Sequence, residues 1–257
     1  MSVTVGVSLK SYLGHRGTLT WASAVAEALR DGPQPGLELF VLPSFPTLTA
    51  VAQILAGSGV AVGAQDLSAD DAGNRTGEVT GAMLAEIGCR YALTGHAERR
   101  FLFRETDAVV AAKTRAAIRH GLIPVVCVGE TERVPTGTAV EVCTQQLADA
   151  LPGDKPISSR LLVAYEPGWA IGADRPASDG HIIGIIAGLR DELRRRAPDS
   201  AVIYGGSAGP GLLTRLGHAV DGLFLGRFAH DPDALAAVVA EAGNLTRLAR
   251  PRQESLR

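Results

Sequence analysis

Short apolar runs alternate with longer amphipathic stretches along the chain. The runs are Val3–Ser8, Leu37–Leu42, Val60–Gln65, Tyr91–Thr94, Ile123–Val128, Leu161–Tyr165, Ala201–Tyr204 and Gly222–Leu225. They are short, often β-branched and apolar at successive positions, the pattern of strands in a parallel sheet covered on both faces. The stretches between them read as helices. Ile182, Ile186, Leu189 and Leu193 recur at three- and four-residue spacing, opposite Arg190, Asp191, Arg194 and Arg195, which makes one apolar helix face. Thr80 before Gly-Ala-Met-Leu and Asp231-Pro-Asp before Ala-Leu have the chemistry of helix starts. Eight strand–helix alternations without a linker, a repeat or a low-complexity segment predict an α/β fold. A single closed (β/α)8 barrel over residues 1–244 fits them better than an open doubly wound sheet. Residues 245–257, with four arginines and Pro251, are expected to form a flexible basic tail.

Composition narrows the function classes without naming one. A chain of 257 residues with 46% hydrophobic and 20% charged residues is an ordinary globular composition, and barrels of this size are commonly one domain. The net charge of −2 offers no electrostatic case for nucleic acid or an anionic membrane as partner. No apolar run approaches the roughly 18 residues of a spanning helix, and the start, Met-Ser-Val-Thr-Val, lacks a secretory pattern. Cys89, Cys127 and Cys143 are odd in number and lack zinc-finger or Cys-x-x-Cys spacing, so reduced thiols in the cytoplasm are expected. Only Lys10, Lys113 and Lys155 among 25 basic residues are lysines. An ammonium near the amino terminus, where arginine serves almost everywhere else, marks a position needing a compact charge.

In a (β/α)8 barrel, chemistry sits at the carboxyl ends of the strands and in the loops that follow. Lys10 lies just past the first run, His96 past the fourth in Leu93-Thr-Gly-His-Ala-Glu-Arg-Arg100, and Glu166 past the sixth in Ala164-Tyr-Glu-Pro-Gly-Trp-Ala-Ile-Gly172. A carboxylate at a strand end, followed by a short loop able to cover it, suits a base working in a closed, dry pocket. Tyr204-Gly-Gly-Ser207 and Asp221-Gly-Leu-Phe-Leu-Gly-Arg227 follow the last two runs. Glycine-rich turns there let backbone N–H groups approach a phosphate. Each feature also has a plain structural reading: Glu166 as a helix cap, His96 as a satisfied core histidine, Lys10 as a surface lysine. Those readings must all hold together, in order and at strand ends, to replace the functional one.

These segments resemble the triosephosphate isomerase family over nearly the whole chain. The family's Asn-x-Lys, Gly-His-Ser-Glu-Arg-Arg, Tyr-Glu-Pro-Val-Trp-Ala-Ile-Gly and Tyr-Gly-Gly-Ser motifs have counterparts in order. So do its dimer-loop signature, in Gly63-Ala-Gln-Asp66 and Thr76-Gly-Glu78, and the run Val125-Val-Cys-Val-Gly-Glu130. The resemblance implies an aldose–ketose isomerase of a small phosphorylated sugar that uses no metal or organic cofactor and works as a homodimer. It implies Glu166 as the base and His96 as the neutral electrophile, a pairing for which this family is the reference case. Lys10 would supply charge to the intermediate, with Ser8, Glu98 and Cys127 in support. Backbone groups of Gly172, Ser207, Gly226 and Arg227 would receive the phosphate, and residues 167–177 would form a lid, again a motion for which the family is the reference.

The pattern departs from the family at four places beside the pocket: Ser8 stands for Asn, Ala97 for Ser, Gly168 for Val and Arg227 for Gly. Drift is the plain reading of such changes; retained chemistry with altered surroundings is what a different substrate would look like. Ser8 removes an amide and leaves space for an additional hydroxymethyl group. A serine before the lysine and a Gly-Arg turn also resemble the branch of the family acting on erythrulose 1-phosphate. Triose phosphate is the family default and the four-carbon ketose phosphate its competitor. A non-catalytic phosphate-binding paralogue and another phosphate-binding barrel, an amino-sugar isomerase or a lyase, are the rivals from further afield.

Overall fold

The computed structural model describes residues 2–30, 32, 35–151, 153 and 156–248. Eight parallel strands close into a barrel in sequential order: β1 (Val3–Ser8), β2 (Leu37–Leu42), β3 (Val60–Ala64), β4 (Tyr91–Thr94), β5 (Ile123–Val128), β6 (Leu162–Tyr165), β7 (Ala201–Tyr204) and β8 (Gly222–Leu225). The expected single (β/α)8 barrel is thus observed, with Gln65 and Leu161 just outside the strands in which the pattern placed them. Around it lie α1 (His15–Ala28), α2 (Leu48–Ile54), α3 (Gly81–Glu86), α4 (Ala97–Leu102), α5 (Asp107–Arg119), α6 (Thr136–Ala150), α7 (Asp179–Arg196), α8 (Leu212–Leu216) and α9 (Pro232–Leu248).

The strands are apolar on both faces because they have two cores to fill. Phe40, Leu42, Tyr91, Leu93, Val125, Cys127, Leu162, Ala164, Ile203 and Phe224 pack inside the barrel. Their neighbours, such as Val126, Val128, Val163, Tyr165 and Val202, pack outward against the helices. Ile182, Ile186, Leu189 and Leu193 of α7 are all buried there. Both expected helix starts hold: the Thr80 hydroxyl accepts the Met83 N–H at 3.3 Å, and Asp231 accepts the Asp233 N–H at 3.0 Å. The barrel closes where β8 meets β1, and a Cβ on Gly222 would lie 1.7 Å from the Thr4 carbonyl oxygen. Only glycine permits that approach.

The amino-terminal mouth of the barrel is sealed by ions. Glu38 accepts hydrogen bonds from Arg160, Tyr91 and Thr4. Burial opposes its ionisation, but the bonds from Arg160 and Tyr91 outweigh that and hold the carboxyl below its ordinary range. At the carboxyl end of the chain, Leu245–Leu248 continue α9; the rest of the expected tail, 249–257, lies outside the described residues. Among the described residues no helix is long and apolar enough to cross a membrane.

Candidate active site

The two-residue period of the strands carries on past their ends and decides what faces the barrel axis. Leu162 and Ala164 point inward, so the next inward position in that register is Glu166. Thr4 and Gly6 of β1 face Glu38 and the Phe40 ring, which brings Ser8 and Lys10 to the same side. The continuations of β5, β7 and β8 are Gly129, Gly205 and Gly226. A Cβ at Gly205 would lie 2.9 Å from Glu166 Cγ, and one at Gly129 would lie 2.0 Å from the Glu166 carbonyl oxygen. Gly205 leaves the space that the carboxylate occupies, and Gly129 admits the Glu166 backbone beside it.

The resulting cavity, about 200 Å³, is lined by Ser8, Lys10, His96, Glu98 and Glu166 at one end and by Gly172, Ser207, Gly226 and Arg227 at the other. Every candidate residue but Cys127 therefore shares one wall. Cys127 sits inside the barrel beneath it, its thiol pushed well up by burial and then by the adjacent Glu166 carboxylate. It stays protonated and uncharged below that carboxylate.

Lys10 is not a surface lysine. Its backbone is left-handed, φ 48°, which costs a residue with a side chain about 1–2 kcal/mol. Gln65 Nε2 donates to its carbonyl at 3.0 Å and to that of Leu42 at 2.9 Å, fixing the turn. The ammonium pairs with Glu98. Gln65 belongs to the Gly63-Ala-Gln-Asp66 segment, and its hold on the Lys10 turn shows only in three dimensions.

His96 caps α4, its Nδ1 accepting the Glu98 N–H at 3.1 Å. A nitrogen that accepts cannot carry the proton, so the imidazole is neutral with its hydrogen on Nε2. That Nε2 is 3.5 Å from Glu166 Oε2, and neither atom has a hydrogen-bond partner although both are buried. Buried polar atoms without partners are rare and mark places built to meet something else. The pair offers a proton acceptor and a neutral donor facing one small space. That is the equipment for removing a proton beside a carbonyl and stabilising the oxyanion that results.

The segment 167–177 lies folded onto the ends of β7 and β8. Ser207, also left-handed at φ 48°, places its hydroxyl 2.9 Å from the Ala170 carbonyl and 2.7 Å from that of Ala173. The Ala177 N–H reaches the Tyr204 hydroxyl at 3.0 Å, and Arg227 Nη2 donates to the Gly172 carbonyl at 2.9 Å. At the other end, Trp169 Nε1 donates to Glu130 at 2.9 Å and its ring lies under the Arg133 guanidinium. Glu130, which the sequence reading gave no role, is buried and also accepts from Tyr165 and meets His181. Arg100 donates to the Gly95 carbonyl at 2.9 Å and to Asp107 at 2.6 Å.

Comparison with known proteins agrees with this geometry. The family model for triosephosphate isomerase matches residues 3–242. An L-erythrulose-1-phosphate isomerase of Pectobacterium atrosepticum is 51% identical over 95% of this chain and 97% of its own. A triosephosphate isomerase of Symbiobacterium thermophilum is 42% identical over 83% and 87%. The crystal structure of triosephosphate isomerase from Bartonella henselae superposes with a TM-score of 0.81 at 26% identity, covering 96% of this chain and all of that one. Sequence, barrel and relatives converge: the chain belongs to the triosephosphate isomerase family and is an isomerase of this type.

Proposed function

We propose that the substrate is a four-carbon ketose 1-phosphate, erythrulose 1-phosphate. The observation that carries this reading is Ser8. It stands, buried, at the end of the cavity opposite the phosphate turns, and there the cavity does not close. Ser8, Lys10, His96 and Glu98 also border a second hollow of about 410 Å³ that continues toward Ser44, Phe45 and Leu93. With phosphate held at Gly172, Ser207, Gly226 and Arg227, the carbon chain runs past Glu166 and His96. A hydroxymethyl group on the far carbon then falls beside Ser8. Relatives at 51% and 39% identity that are L-erythrulose-1-phosphate isomerases support the same substrate.

In this reading Glu166 removes the proton from C3, and the electron pair moves through C2 to the carbonyl oxygen. The resulting enediolate is stabilised by the His96 Nε2–H and by Lys10. His96 passes a proton from the C3 oxygen to the C2 oxygen, and Glu166 returns its proton to C2. The carbonyl has moved from C2 to C3, so the four-carbon product is again a ketose. On a triose phosphate the far carbon is terminal and the same shift interconverts ketose and aldose. No step calls on a metal or an organic cofactor.

Two further readings accompany it. A homodimer is supported by exposed Phe45, Leu102 and Phe103, with Phe45, Pro46, Leu102 and Phe103 lining the hollow beside Lys10, and by the exposed loop that contains Thr76-Gly-Glu78. Three unpaired, buried cysteines support a cytoplasmic location.

The test is kcat/KM on L-erythrulose 1-phosphate and on dihydroxyacetone phosphate, followed by proton NMR. At least 100-fold preference for the tetrulose is expected. Turnover of the triose near the diffusional ceiling of about 10⁸ M⁻¹s⁻¹, with the tetrulose slower, would reject the substrate. Glu166→Gln should lower kcat by about 10²–10⁴-fold with the fold intact; near-normal turnover would remove the mechanism, whereas a wild-type protein that binds phosphate but turns over neither sugar would be a phosphate-binding paralogue.

A further inference from the structure

We propose that the Arg227 side chain is a charged latch, holding the lid at the Gly172 carbonyl while its remaining N–H groups bind the phosphate dianion of the substrate. This rests on the phosphate reading of the preceding section and adds a side chain to a cradle otherwise made of backbone groups.

Charge within the cavity carries the argument. Its ionisable lining is Lys10, Arg227, Glu98 and Glu166, beside the neutral His96. Lys10 is committed to Glu98. Arg227 is the cation facing the cavity that has no carboxylate partner among the described residues, and without it the lining would hold one more negative charge than positive. A dianion entering that space would meet net repulsion. With Arg227 the lining is balanced, and the one uncommitted positive charge stands at the glycine-rich end.

Geometry agrees. Arg227 opens the single turn Arg227–His230 directly after β8, and its Nη2 is 2.9 Å from the Gly172 carbonyl oxygen. Gly172 itself is left-handed, φ 73°, and a Cβ there would be 3.9 Å from that same nitrogen. The planar fork of five N–H donors can hold a carbonyl with one edge and an anion with another, which a lysine cannot do. His230, four residues from Gly226, carries a buried Nε2 without a partner. Burial, then Arg227, then Lys10 push its pKa below the usual histidine value, consistent with positive charge at this edge of the cavity. Because the lid and the dianion share one guanidinium, binding the phosphate and holding the lid become a single event.

The test uses inorganic phosphate as competitive inhibitor, together with turnover of L-erythrulose 1-phosphate and of unphosphorylated L-erythrulose. Arg227→Ala and Arg227→Gln should each weaken inhibition by phosphate about tenfold, the low end for a charged hydrogen bond at a solvent-open site. Arg227→Lys, which keeps the charge, should recover most of it. Both neutral variants should lose at least tenfold in kcat/KM on the phosphorylated sugar and less than twofold on the unphosphorylated one. Equal phosphate inhibition in wild type and Arg227→Ala would overturn the latch while leaving the phosphate site standing. So would equal losses on the two sugars, which would mean a structural role alone. A wild-type enzyme that turns over L-erythrulose 1-phosphate but is indifferent to phosphate would overturn the phosphate-site reading itself.

Discussion

Gly205→Ala isolates the positioning of the base from its chemistry. The new Cβ would stand 2.9 Å from Glu166 Cγ, 3.1 Å from Oε1 and 3.2 Å from Phe224 Cβ. Carbon–carbon contacts relax at about 3.5–4.0 Å, so the carboxylate must retreat by about 0.5–1 Å. It has somewhere to go. On its other side lies a hollow of about 260 Å³ bordered by Ala97, Arg100, Cys127 and Gly168, kept open partly because residue 97 has no hydroxyl. Relief into that hollow keeps the stability cost at the lower end for overpacking, about 1 kcal/mol, or a fall of about 2–4 °C in Tm for a chain of this size. Activity has no such relief. A misplacement of about 1 Å costs on the order of 10²-fold, so kcat should fall about 10- to 100-fold with KM nearly unchanged. The assays are NMR-detected turnover and calorimetric unfolding of the same preparation. A folded Gly205→Ala enzyme with kcat within twofold of wild type would refute the claim that this glycine sets the base.

Two other expectations follow from burial and charge. Glu38→Gln removes the acceptor shared by Arg160, Tyr91 and Thr4 and should cost about 1–3 kcal/mol at neutral pH. A carboxyl held below its ordinary pKa contributes stability above the unfolded value near 4.3 and loses it as pH falls through the folded value. The gap between wild type and variant in urea unfolding should therefore narrow below about pH 4, and a constant gap would mean the pair is not ionic. Cys89 and Cys143 are pushed up to about 11 and about 12 by burial, and Cys127 well above its usual value. Iodoacetamide at pH 8 should leave all three unmodified in the native enzyme and label all three in guanidinium; rapid native labelling of any one would contradict its burial.

Much of the candidate set was legible because the alternation of strands and helices is local. Apolar runs at successive positions announced strands with a core on each side, and Glu166 stood out as a carboxylate just past the end of one of them; that Leu162 and Ala164 face inward, and Glu166 with them, came from the structure. Motif order then supplied His96 and Lys10. Other residues lay within the quoted motifs without a signal of what they touch. Gln65 reads as the last residue of an apolar run, yet it holds the Lys10 turn from 55 positions away. Glu130 reads as a loop acid, yet it gathers Trp169, Tyr165 and His181 beneath the lid hinge. Gly205 reads as an ordinary turn glycine until the Glu166 side chain is seen against it.

The alternation of apolar and amphipathic segments was by itself sufficient for the class of fold, the eight strands and the residues that fall just beyond their ends, because backbone periodicity and burial act over a few neighbouring positions. The pairing of Lys10 with Glu98 across 88 residues, and of Arg227 with Gly172 across 55, was decided only when the barrel closed. Such contacts depend on register and on clearances of a fraction of an ångström between segments far apart in the chain, and no local pattern of side chains carries that information.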